Sequence, residues 1–253
     1  MASGGAARDR GADGTFERRS SPHFDLYQDV DIDDVGGLYG SRRFEQQVLD
    51  TLERAYDALD RFLGLRPSRK IQVVVYDPAI FERQFSGLFR FSAAGFYAGE
   101  ISVRGATKVH VGLVRVLHHE LVHAALDAAA PSAFFPGWLN EGLAEWFEAR
   151  ALGKRHLYGR ELELLSHAQR TGELYPLSYL SGRSFARLGP DSARLAYLQS
   201  YAMVEFLVRR YGERSLRDFC RDLVHRRDLD RALRRAYRAD LAELEARFVA
   251  ELS

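Results

Sequence analysis

Residues 113–129, LVRVLHHELVHAALDAA, set two histidines and a glutamate into a run of leucine, valine and alanine. Leu113, Val114, Val116, Leu117, Leu121, Ala124 and Ala125 give this segment a strongly apolar helix interior. Within it, His119-Glu120-Leu121-Val122-His123 forms the pattern HExxH. Residues four apart share a helix face, so the two imidazoles can meet one ion. Glu120 projects toward the same edge, where a carboxylate can hold a water molecule beside that ion. With this histidine and glutamate content, a chance HExxH is expected about 0.02 times per chain. Two histidines and a glutamate inside an apolar helix are also costly without partners. The bland alternative is a pair of core histidines satisfied by backbone oxygens.

The rest of the chain bounds what such a helix can serve. A length of 253 residues fits one large domain, or one catalytic unit of two lobes. Hydrophobic residues make up 46% and charged residues 28%, enough for a substantial core. No apolar run reaches the roughly 18–20 residues of a membrane helix, so no membrane span is expected. Lys and Arg number 36 against 35 Asp and Glu, whereas a binder of phosphate backbones shows a basic excess. The arginine-rich end, residues 205–253, holds 12 Arg but also 10 acidic residues, which reads as a solvated, salt-bridged helix surface rather than a nucleic-acid face. Cys220 is the single cysteine, so an intrachain disulfide and a cysteine-only metal cluster are excluded.

Residues 1–21 are small, charged and without an apolar stretch, so they read as a disordered tail and not as a signal peptide. Periplasm and cytoplasm of a bacterium both stay open as compartments, and so does the oligomeric state. The chain then divides into an N-terminal α+β lobe, 22–130, and a C-terminal helical lobe, 131–253. Strands are expected at 23–28, 70–76 and 107–112, with a hairpin over 94–104. Helices are expected at 40–63, 79–85, 113–129, 139–151, 159–171, 192–211, 213–226 and 229–252. The acidic stretch Asp29, Asp31, Asp33, Asp34 departs from a calcium-loop pattern and reads as a solvated turn. The fold class is α+β, a small mixed sheet plus the HExxH helix, followed by a helical half.

Catalytic zinc takes three protein ligands and leaves a position for water. Cys220 lies far along the chain, and the extension HxxGxxH fails at Leu126 and Ala129. Glu141 and Glu145, four apart in WLNEGLAE (138–145), sit on one face of an otherwise apolar helix, and spacing alone allows either.

HHELVHAAL (118–126) followed by PGWLNEGLAEWFE (136–148) resembles the gluzincin metallopeptidases, in particular small bacterial peptidase-MA-like families. The resemblance implies a zincin-like fold, Zn2+ as cofactor and Glu141 as third ligand beside His119 and His123. It also implies that Asn140 and Glu145 support the two histidines, which fits the tendency of a ligating imidazole to donate its other N–H to a carboxylate or carbonyl. Residues 196–212, AYLQSYAMVEFLVRRYG, are similar to the gluzincin aminopeptidase segment that carries a catalytic tyrosine, matched here by Tyr197, with Tyr201 as rival. The Gly-x-Met-Glu-Asn strand of those aminopeptidases is replaced by Gly95–Glu100, so their specificity is not carried over. A strand near 100–104 could still bind an extended peptide edge to edge. His118 reads as a surface or supporting residue, Asp127 as helix surface.

The resulting expectation is a zinc metallopeptidase. Glu120 would act as general base on a zinc-bound water, Tyr197 would stabilise the oxyanion, and a peptide or protein would be the substrate. Two alternatives stand beside it. One is a weak or inactive peptide- or partner-binding module, against which the intact Glu120 argues. The other is a metallohydrolase of a non-peptide amide or ester.

Overall fold

The β-branched run KIQVVVY supplies the central strand of a five-stranded mixed sheet in the computed structural model, which describes residues 16–30, 32, 40–91, 93–182 and 184–252. The strands are β1 (Glu17–Ser20), β2 (Phe24–Gln28), β3 (Ile71–Tyr76), β4 (Gly95–Tyr97) and β5 (Ile101–Arg104), in the order β1-β2-β3-β5-β4. β2, β3 and β5 run parallel, and both outer strands pair antiparallel. Val73, Val74 and Val75 have no exposed surface, because β3 is covered on both faces. Val73 and Val75 face the main core, while Val74 and Tyr76 join Ile80 and Phe81 on the other side.

Nine α-helices are present among the described residues. The first three are α1 (Gly40–Leu63), α2 (Pro78–Phe85) and α3 (Val111–Ala129). Then come α4 (Gly137–Ala151), α5 (Gly159–Thr171) and α6 (Pro190–Tyr211). Last are α7 (Glu213–Arg226), α8 (Leu229–Tyr237) and α9 (Leu241–Glu251). α1 buries Phe44, Val48, Leu52, Ala55 and Leu59 at helical spacing and packs on α3 and α7. It ends at Gly64, whose φ of +67° suits glycine and whose N–H closes on Asp60 O at 3.0 Å. α4 packs between α3 and α6. A Cβ on Gly142 would lie 2.5 Å from Ser200 O, so only glycine lets α4 approach α6 this closely beside Glu141. No described helix is long and apolar enough to cross a membrane.

Four expectations are corrected. Residues 107–110 are not a strand: His110 is the N-cap of α3, its Nδ1 accepting from Leu113 N at 3.3 Å, so the helix starts at Val111. The final helix is broken in two, since Arg238 turns left-handed (φ +52°) and Asp240 caps α9 with Glu243 in a reciprocal capping box. Of the tail expected over 1–21, residues 1–15 lie outside the described residues, and 17–20 form β1 on the sheet edge. Strand β5 is paired on both sides, so the free edge near the HExxH helix belongs to β4. The acidic run falls outside the described residues at Asp31, Asp33 and Asp34. Asp29 is buried and accepts from Asp77 N.

Candidate active site

Three helices supply the site. α3 presents His119, Glu120 and His123 from adjacent turns, α4 presents Asn140, Glu141, Glu145 and Glu148, and α6 presents Tyr197. Glu141 Oε2 lies 3.3 Å from His119 Nε2 and 3.5 Å from His123 Nε2. These three donor atoms lie within 4.8 Å of one another. Two neutral imidazole nitrogens and one carboxylate oxygen are the donor set of a three-ligand zinc centre, so the residues fit that ion.

The outer ring nitrogens face elsewhere. His123 Nδ1 is 3.0 Å from Asn140 Oδ1. His119 Nδ1 is 3.7 Å from both Glu145 Oε1 and Glu148 Oε2. Glu148 is the more firmly held of the two: its Oε1 accepts from Arg115 Nε at 2.5 Å. Glu148 and Arg115 are the residues that the sequence reading missed. A signal for them exists, because Arg115 lies four residues before His119 and Glu148 three after Glu145, each on a shared helix face.

Electrostatics separates the four acids. Burial would raise Glu141, but His123 and His119 hold it well below the usual carboxylate range. Against the same burial, His119 and Arg115 keep Glu148 low. Burial raises Glu145 and Glu120, in each case against the pull of neighbouring histidine. Burial would lower His119, yet the carboxylates around it, Glu141 and Glu148 first, lift it well above its ordinary value. The Tyr197 phenol is pushed up by burial and by Glu141 and Glu145, so it keeps its proton and can donate. Its ring centroid is 6.5 Å from that of His119.

His119, Glu120, His123, Asn140, Glu141 and Tyr197 line one cavity of about 480 Å³, whose other wall includes Phe96, Tyr97, Phe134 and Phe135. Glu145 lines the neighbouring spaces beyond Tyr197. Tyr201 is buried outside the cavity, under the Lys154 ammonium at 4.7 Å. His118 is not on the surface: it is buried, its ring nitrogen 2.7 Å from Val114 O. Asp127 is exposed and accepts from the Tyr97 hydroxyl at 2.8 Å on the cavity rim. Trp138 and Trp146 belong to the core.

A family profile described as the peptidase MA superfamily matches residues 54–253, a span that includes all of these side chains. The chain belongs to the peptidase MA superfamily, a metallopeptidase clan. Among curated proteins, none matches the chain significantly.

Proposed function

We propose that the protein is a zinc metallopeptidase of gluzincin type, with a zincin-like fold. The observation that carries this reading is the convergence of His119 Nε2, His123 Nε2 and Glu141 Oε2 within 4.8 Å, with Glu120 beside them on α3. His119, His123 and Glu141 would hold the ion. Zinc, when bound, polarises a carbonyl and makes water acidic enough to lose a proton near neutral pH.

The remaining chemistry belongs to the side chains. Glu120 accepts a proton from the attacking water at a carboxylate oxygen and later delivers it to the leaving amine. Its burial favours this task, because a carboxyl raised from its usual value holds a proton longer before passing it on. Tyr197 donates its O–H to the carbonyl oxygen as negative charge builds there. Asn140 accepts from His123 Nδ1, which fixes that ring with Nε2 toward Glu141. Glu148, anchored by Arg115, and Glu145 beside it face His119 Nδ1 at 3.7 Å and draw that side of the ring toward them by charge.

The test is hydrolysis of a mixed peptide library by zinc-reconstituted protein, with cleavage sites read by mass spectrometry. Cleavage that a chelator stops and zinc restores is the expected result. Turnover of simple esters or non-peptide amides with no peptide cut would move the activity to another hydrolase class.

A further inference from the structure

The cavity beside the histidines does not end at Tyr197. A space of about 220 Å³, bordered by His119, Glu120, Glu145 and Tyr197, adjoins it. Past the same tyrosine and the same Glu145 lies a larger cavity of about 750 Å³ between α4, α5 and α6. Tyr197 lines all three, so they lie side by side around one side chain.

The two ends of this track differ in chemistry. The end beyond the histidines is walled by phenylalanines. The far cavity holds Arg115, Lys154, Arg160 and Arg194 against Glu145, Glu148 and Glu161. Two of those cations are already engaged inside the wall. Arg115 pairs with Glu148 at 2.5 Å, and Lys154 with both oxygens of Glu161 at 2.7 and 2.8 Å. Lys154 is further pinned over the rings of Tyr158 and Tyr201, 4.7 Å from each centroid. Arg160 and Arg194 are exposed and have no acidic partner among the described residues. Glu145, the remaining acid, is turned toward His119. The cavity therefore presents two guanidinium groups without an acidic partner against one acid, Glu145, that is turned away toward His119. Exposed Val111, Leu152 and Tyr158 add apolar contact around them.

Arg194 precedes Tyr197 by one helical turn on α6, so both face the same space. An extended peptide advances about 3.3 Å per residue. Three helical residues rise about 4.5 Å, so a carboxylate about one to two residues from the bond beside Tyr197 falls near Arg194.

We infer that this cavity is a substrate subsite that binds a peptide carboxylate through Arg160 and Arg194. The inference rests on the peptidase reading and narrows it to substrates with an acidic side chain, or a free C-terminus, on the Tyr197 side of the cut bond. A guanidinium fork suits a carboxylate geometrically as well as by charge.

The test uses zinc-loaded Glu120→Gln protein, which leaves a bound peptide intact. Fluorescein-labelled octapeptides of Ala, Gly and Phe carry one Glu at successive positions, each with a Gln counterpart, and each series ends in a free acid or an amide. Fluorescence anisotropy gives Kd. The expected result is a preference of about fivefold to tenfold for the carboxylate at one position, weakened by salt, as for two partly exposed charge contacts. Adding Arg160→Gln and Arg194→Gln together should reduce it below about twofold. A preference confined to a side-chain Glu marks an internal acidic residue, and one confined to the free acid marks the chain end; both support the subsite. Binding without any carboxylate preference, or a preference that survives both substitutions, overturns the subsite and leaves the peptidase reading standing. Failure of every peptide to bind overturns both.

Discussion

Helices α7 and α8 keep most of their charges at the surface, whereas α3 and α4 bury several of theirs. On α7, Leu216, Phe219, Cys220 and Leu223 face the core, and the arginines stay outside. Arg226 and Arg235, both exposed, share the half-buried Asp222 at 2.7 and 3.3 Å. On α3 and α4, Glu120, Glu141 and Glu148 are 6%, 8% and 6% exposed, inside helices of leucine, alanine and tryptophan. The first pair obeys the amphipathic rule and needs no further cause. The second violates it: Glu141 is matched by two imidazoles and Glu148 by a guanidinium close by, while Glu120 lines the cavity. A local rule broken by several buried acids that meet on one cavity is the pattern of a functional site.

The comparison is broken most severely by removing a buried acid with a chemical task. Glu120→Gln should lower kcat by on the order of 10²–10⁴ with any cleaved peptide, while zinc content and melting temperature hold. Steady-state kinetics alongside elemental analysis checks this; retained turnover would remove Glu120 from the role of base.

Next come the carboxylates that face His119 Nδ1. Loss of such a partner typically weakens metal affinity about 10–100-fold. Glu148→Ala should fall at the upper end of that range and Glu145→Ala at the lower, because only Glu148 is fixed by Arg115. Arg115→Ala should share part of the Glu148 effect. Competition with a chromophoric chelator ranks the three. The reverse order, with Glu145→Ala the weaker binder, would return the supporting role to Glu145.

The smallest effect belongs to the solvated pair. Asp222→Ala removes two ion pairs between a half-buried carboxylate and exposed arginines and should cost less than about 2 kcal/mol, with no change in zinc affinity. Thermal unfolding and the same chelator assay measure both. A large loss of zinc would mean that the two regions are coupled.

What the sequence makes legible follows the same division. Helices with regular apolar spacing are read to their ends, 40–63 and 159–171 by a glycine stop and 213–226 by the glycine before it, because burial and capping are local. The HExxH segment and WLNEG are legible because their spacing puts named atoms on one helix face. Strand β1 is not legible: Glu-Arg-Arg-Ser carries no apolar alternation and is ordered by pairing to β2. TKVHVG imitates a strand by alternating, yet His110 uses its ring to cap a helix. Glu148 and Arg115 escape for a related reason. Their meeting depends on how α3 and α4 cross, and periodicity within either helix does not contain that angle.

The central claim is that His119, His123 and Glu141 hold one zinc ion. Its most direct test is equilibrium zinc titration against a chromophoric chelator, comparing the unaltered protein with Glu141→Ala. One tightly held zinc per chain is expected in the first, and none that competes with the chelator in the second. Zinc held by Glu141→Ala with unchanged affinity and stoichiometry would contradict it.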